Sequence, residues 1–169
     1  AKHPAVIGYQ VDNETHHYGV QNDNVQRDFV SYIKKIYNGD IERFNHDFGL
    51  DYWSNRIDAW EDFPSMKGVV NGSLAAEFEK FQRSLVTEFQ KWQVDIIHKY
   101  ALDNQFITTN FDYAWRGESF GIQAFADHFA AGKYFDVMGV DIYHRSQDDL
   151  TGAEVSWGGD IRSEERRVG

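Results

Sequence analysis

Three short runs rich in apolar and β-forming residues, at 5–11, 105–111 and 135–143, are separated by stretches with helical periodicity. That alternation limits the fold more than any other feature, because strands joined through helices lie parallel in one sheet. The first run, Ala5-Val6-Ile7-Gly8-Tyr9-Gln10-Val11, is almost continuously apolar and ends in the polar cluster Asp12-Asn13-Glu14. Such a run predicts a strand buried on both faces. The other two runs are rich in β-branched and aromatic residues.

The helical stretches have readable limits. Val25, Phe29, Tyr32, Ile33 and Ile36 recur at helical spacing, with Asn38-Gly39 as the stop. Asp40 is placed to cap a second helix carrying Ile41, Phe44 and Phe48, ended by Gly49. A third is expected to carry Trp53, Ile57 and Trp60, closed by Pro64, with a loop over 65–72. Ser73 reads as the N-cap of the longest helix. Its stripe of Leu74, Phe78, Phe81, Leu85, Phe89, Trp92, Ile96 and Tyr100 predicts one buried face. A further helix is expected over about 121–131, and another opens at Trp157-Gly158-Gly159-Asp160-Ile161-Arg162.

A parallel α/β sheet of this kind is either an open doubly wound sheet or a (β/α)8 barrel. No glycine-rich turn follows any of the three strands, as a nucleotide-binding doubly wound sheet would have, so the barrel is the favoured reading. A whole barrel needs about 250 residues. The expectation is therefore part of a barrel, with a helical insert after the first strand. The chain enters its first strand at once after Ala1-Lys2-His3-Pro4, which fits an internal fragment. Residues 1–162 are assigned to the barrel. Residues 163–169 continue no apolar pattern and resemble translated adaptor sequence, so they are expected to be a non-native tail.

Composition narrows the partners. The formal net charge of −10, without a basic stripe, argues against nucleic acid. Cysteine is absent, which excludes disulfides and thiolate metal sites. No apolar run is long enough to span a bilayer. Aromatic residues reach 16%, which suits sugar-stacking surfaces and a ring-filled core equally. His16 and His17 are adjacent and without ligand spacing, so no metal site is assigned to them and no cofactor is called for.

Asn13-Glu14 is the sharpest chemical signal. Glycoside hydrolysis of the usual kind uses two carboxyl groups flanking the scissile bond, one of which protonates the leaving oxygen. A Glu at the C-terminal end of a barrel strand projects into the mouth where barrels do chemistry. The preceding Asn can offer its amide to the hydroxyl beside the anomeric carbon. A surface Glu after a strand carries the same two letters, so the dipeptide alone leaves both readings open.

The segment from His3 to Glu14 resembles the fourth-strand signature of glycoside hydrolase family 42, the β-galactosidases. Tyr37-Asn38-Gly39-Asp40-Ile41-Glu42-Arg43-Phe44-Asn45 and Phe48-Gly49-Leu50-Asp51-Tyr52-Trp53-Ser54 are similar to its following segment. Thr108-Thr109-Asn110-Phe111 resembles its fifth strand, and Asp136-Val137-Met138-Gly139-Val140-Asp141-Ile142-Tyr143 its sixth. The likeness runs from about residue 3 to 162, so the chain would extend roughly from strand four to helix six.

The resemblance implies a retaining double displacement with Glu14 as acid/base and a β-galactoside as substrate. It implies substrate-binding roles for Asn13 at the 2-hydroxyl, for Trp53, sometimes across a trimer interface, and for Asp141 and Tyr143 at the sixth strand. Asn110 is a lesser candidate, since an Asn at a strand end often only caps a loop. The family's nucleophile is a second Glu on a later strand, and none of Glu118, Glu154 or Glu164 has that context. The cysteine-held zinc of some members has no ligands here. The resemblance also favours a homotrimer and a cytoplasmic location, while the sequence itself leaves both open. The alternatives are a β-glucosidase, mannanase or arabinosidase using the same Asn-Glu pair, and a non-catalytic sugar-binding barrel.

Overall fold

The computed structural model describes residues 3–112, 123–142, 152–153 and 156–160. Two compact units make up the chain, one of residues 1–17 and 83–169, the other of residues 18–82.

The first unit is built on three parallel strands, β1 (Gly8–Gln10), β2 (Phe106–Asp112) and β3 (Val137–Asp141), in the order β1-β2-β3. Gly8, Tyr9 and Gln10 face Phe106, Ile107 and Thr108, and residues 108–112 of β2 face 137–141 of β3. The parallel α/β reading thus holds. Gly8 lets β1 come close: a Cβ there would lie 2.7 Å from the Phe106 carbonyl oxygen and 2.8 Å from its ring.

In this chain the first run, expected to be buried on both faces, is half-buried at Gly8 and Tyr9 and exposed at Gln10, and among the described residues burial on β2 is one-sided. On β2, Ile107, Thr109 and Phe111 are buried while Phe106 is exposed, and Thr108, Asn110 and Asp112 keep partial access to solvent. The buried side joins Val11, Val86, Val94, Ala126, Ala131 and Phe135 in one cluster. The more accessible side carries the polar groups of the candidate site.

The longest helix, α3 (Gly72–His98), belongs to the second unit up to Gln82 and to the first beyond it. Its cap is Asn71 and not Ser73, because the Asn71 side chain accepts from Leu74 N at 2.9 Å. The predicted stripe is buried at Leu74, Phe78 and Phe81, but Leu85, Phe89, Trp92, Ile96 and Tyr100 are exposed. At about 100° per residue, the buried Val86, Gln90 and Val94 lie on another side of the helix from that stripe. The expected buried face is therefore found only as far as Phe81; beyond it Val86 and Val94, on a neighbouring face, join Ile107 and Phe111 of the sheet in one cluster.

The helix expected over 121–131 is shorter. It is α4 (His128–Gly132), started by Asp127, whose side chain accepts from Ala130 N. Residues 156–160 are helical, as the Trp157 segment predicts. Tyr143, Glu118, Glu154, Glu164, Asp148-Asp149 and residues 163–169 lie outside the described residues.

The second unit packs aromatic rings. Its helices are α1 (Asp23–Ile36), capped by Asn22, and α2 (Ile41–Asp47), capped by Asp40. Asn38 and Gly39 take φ of 51° and 77° between them, the left-handed turn the Asn-Gly pair predicts. Phe29 packs on Phe78 at 5.0 Å between ring centroids, on Phe81 at 5.4 Å and on Phe63 at 5.7 Å. Phe44 packs on Phe63 at 5.4 Å and on Trp60 at 5.3 Å. Much of the aromatic excess therefore fills this core.

The third helix of this unit does not form. Trp53 and Ser54 sit at φ of 61° and 58°, which breaks any right-handed helix, and only a 3-10 turn at Trp60–Asp62 remains. The loop is held instead by Asn45, which is 0% exposed. Its Nδ2 donates to the Ile57 carbonyl at 2.8 Å and its Oδ1 accepts from Ile57 N at 3.0 Å. Asn45→Ala strands both backbone groups. It is expected to cost about 2 kcal/mol and to speed amide exchange at Ile57. Unchanged exchange there would show that the loop holds itself.

Candidate active site at the strand ends

Past Gln10 the chain keeps to the edge of β2 but gains a residue. Val11 N donates to Thr108 O at 2.8 Å, and Glu14 N donates to Asn110 O at 3.2 Å. A parallel ladder steps two residues on both strands; here β2 advances from 108 to 110 while its neighbour advances from 11 to 14. That is a bulge, and it is made at Asp12, with φ of 54°. The displaced Asn13 N–H is taken by Asp12 Oδ1 at 2.9 Å, and the Asp12 carbonyl accepts from Gln10 Nε2 at 3.3 Å. Asp tolerates the left-handed region better than most residues and supplies the acceptor.

Glu14 follows, also left-handed at φ 48° and half-buried. Two successive departures from ordinary backbone around Asn13 cost of order 1–3 kcal/mol each and persist only where neighbours enforce them. One neighbour that holds Glu14 is Gln123, a buried residue the sequence reading did not single out. Gln123 Nε2 donates to the Glu14 carbonyl at 3.1 Å, while its Oε1 accepts from Asp112 N at 2.9 Å. Further on, His17 N donates to Phe125 O at 3.0 Å, and the His17 ring meets the Phe125 ring edge-on at 5.2 Å.

Asn110 is the hub of the side chains. Its Nδ2 donates to Asn13 Oδ1 at 3.0 Å and also to Asp141 Oδ2, and its Oδ1 accepts from Gln10 Nε2 at 2.8 Å. Asn13, Asn110 and Asp141 are thus brought together, beside Glu14. Gln10 was missed as well; the visible signal was a lone amide in an otherwise apolar strand. Trp53 belongs to the second unit and is 92% exposed in this chain. His16 Nδ1 lies 2.8 Å from the His17 carbonyl, and among the described residues no three metal-ligating side chains cluster.

The family model for glycoside hydrolase family 42, β-galactosidase, matches residues 1–163. The chain belongs to family 42. Among curated relatives, the β-galactosidase BgaA of Clostridium cellulovorans is 32% identical over 113 residues, which is 65% of this chain and 17% of that protein. LacZ of Heyndrickxia coagulans is 25% identical over 157 residues, covering 90% of this chain and 22% of the relative. The chain therefore spans only about a fifth of those relatives.

Solved β-galactosidase structures agree in fold. The β-galactosidase of the psychrophilic Marinomonas ef1 superposes with a TM-score of 0.70 at 26% identity, over 84% of this chain and 21% of that one. A catalytic mutant of Gan42B, the G. stearothermophilus β-galactosidase, gives 0.79 at 23% identity over 95% of this chain and 24% of that one. The three parallel strands and their helices correspond to part of those structures.

Proposed function

We propose that this chain is the segment of a (β/α)8 barrel from about strand four to helix six, within an enzyme that releases terminal β-D-galactose with retention. Residues 1–162 are the barrel part. Glu14 protonates the departing oxygen and then, as carboxylate, deprotonates the incoming water. Asn13 binds the 2-hydroxyl of galactose. The nucleophilic Glu comes from outside this chain, and Tyr143 reaches that nucleophile or the sugar. Trp53 completes the sugar pocket, in a trimer across the subunit boundary. The substrates are lactose-like or plant-wall galacto-oligosaccharides, and the family resemblance favours a cytoplasmic location. Among the described residues no helix is long and apolar enough to cross a membrane.

The observation that carries this reading is the bulge that sets Glu14 at the strand ends beside the Asn13–Asn110–Asp141 network, in a chain of family 42. Retaining chemistry needs a second carboxyl about 5–5.5 Å away. The test is ¹H NMR of the first sugar released by the full-length enzyme. β-Galactose appearing before its α anomer supports double displacement, and α-galactose first refutes it. Preferred release of glucose, mannose or arabinose moves the enzyme to another substrate, and binding without turnover leaves a sugar-binding barrel.

The 169-residue chain alone is expected to be inactive, since it lacks the nucleophile and leaves an edge of β1 unpaired among the described residues. Galactoside turnover by the purified chain, abolished by Glu14→Gln, would overturn that expectation.

A further inference from the structure

A carboxylate only accepts hydrogen bonds, whereas an Asn amide has one end that donates and one that accepts. Asp141 Oδ2 therefore draws the Nδ2 of Asn110 toward itself. With that end fixed, the remaining Asn110 N–H meets Asn13 Oδ1 at 3.0 Å, and Asn110 Oδ1 receives Gln10 Nε2 at 2.8 Å. Asn13 then has its oxygen engaged and its Nδ2 left as the end to be offered.

We propose that Asp141 is a positioning residue that sets, through Asn110, the donor polarity of Asn13 toward the sugar hydroxyl beside the anomeric carbon. The relay runs across all three strands: Asp141 ends β3, Asn110 stands on β2, and Asn13 follows β1. This rests on the reading of Asn13 and Glu14 above, and it replaces direct sugar contact as the role of Asp141. Asp141→Asn keeps the size and shape of the side chain but presents an N–H as readily as an oxygen. Asn110 then loses its preferred orientation, and Asn13 with it.

The experiment uses the full-length enzyme and two substrates, an aryl β-galactoside and its 2-deoxy analogue. Asp141→Asn is expected to lower kcat/KM on the parent galactoside about tenfold or more, the scale of a lost hydrogen bond to the 2-hydroxyl that strengthens in the transition state. On the 2-deoxy analogue, which has no hydroxyl to receive the bond, the same variant is expected to match wild type. Asn110→Ala removes the middle of the relay and should give the same selectivity, so it carries the test if Asp141→Asn fails to fold. Equal losses on both substrates, or none on either, overturn the proposal. Asn13→Ala is the control. If it treats the two substrates alike, the reading of Asn13 falls; if it discriminates and Asp141→Asn does not, only the relay falls.

Discussion

Glu14→Gln in the full-length enzyme is expected to lower kcat on unactivated galactosides by about two to four orders of magnitude, the usual share of a general acid/base. The amide keeps the shape of the side chain and its backbone clamps at Asn110 and Gln123, so the fold and KM should change little. The loss should shrink on aryl galactosides whose leaving groups need no proton, because the first step then dispenses with the acid. The second step still needs a base to activate water. Azide needs none, and added azide should restore turnover in Glu14→Ala, with β-galactosyl azide as product. A rate within about threefold of wild type on every substrate would remove Glu14 from the chemistry, since acid/base catalysis is worth far more.

Gly8→Val is expected to do comparable damage through the fold. A Cβ at that position meets the Phe106 carbonyl oxygen at 2.7 Å, and that oxygen belongs to the backbone of the paired strand. Neither partner can yield without opening the β1–β2 seam. A cost of about 3 kcal/mol, at the upper end for overpacking, would lower the thermal midpoint by roughly 6–12 °C in a domain of 150–250 residues. Activity should fall as well, because the bulge hangs on the same seam through Val11 and Thr108. Gly8→Ala places the same Cβ and should show a large part of the effect. A midpoint within a degree of wild type for both variants would mean that the strands lie farther apart.

What could be read from the sequence depended on how local its cause was. The stops at Asn38-Gly39 and Gly49 and the cap at Asp40 are set within a few residues, and all appear. The missing third helix depends on Asn45 gripping Ile57, a contact between segments that no local pattern shows. The stripe on α3 is buried only as far as Phe81, and which side the sheet would claim was invisible to periodicity. Asn13 and Glu14 stood out because carboxyl and amide follow an apolar strand. Gln123 did not, since its two bonds go to backbone atoms 11 and 109 residues away, and nothing in its own neighbourhood announces them.

The bulge at Asp12 has one more consequence. Side chains along a strand alternate between faces, so a one-residue change in count exchanges them. The spacing between Val11 and Glu14 therefore behaves like a reading frame for the active site. Replacing Asp12 alters how comfortably the extra residue is held and leaves its count intact. Deleting it would shift the phase and send Asn13 and Glu14 to each other's faces, with every residue of the site still present in the chain.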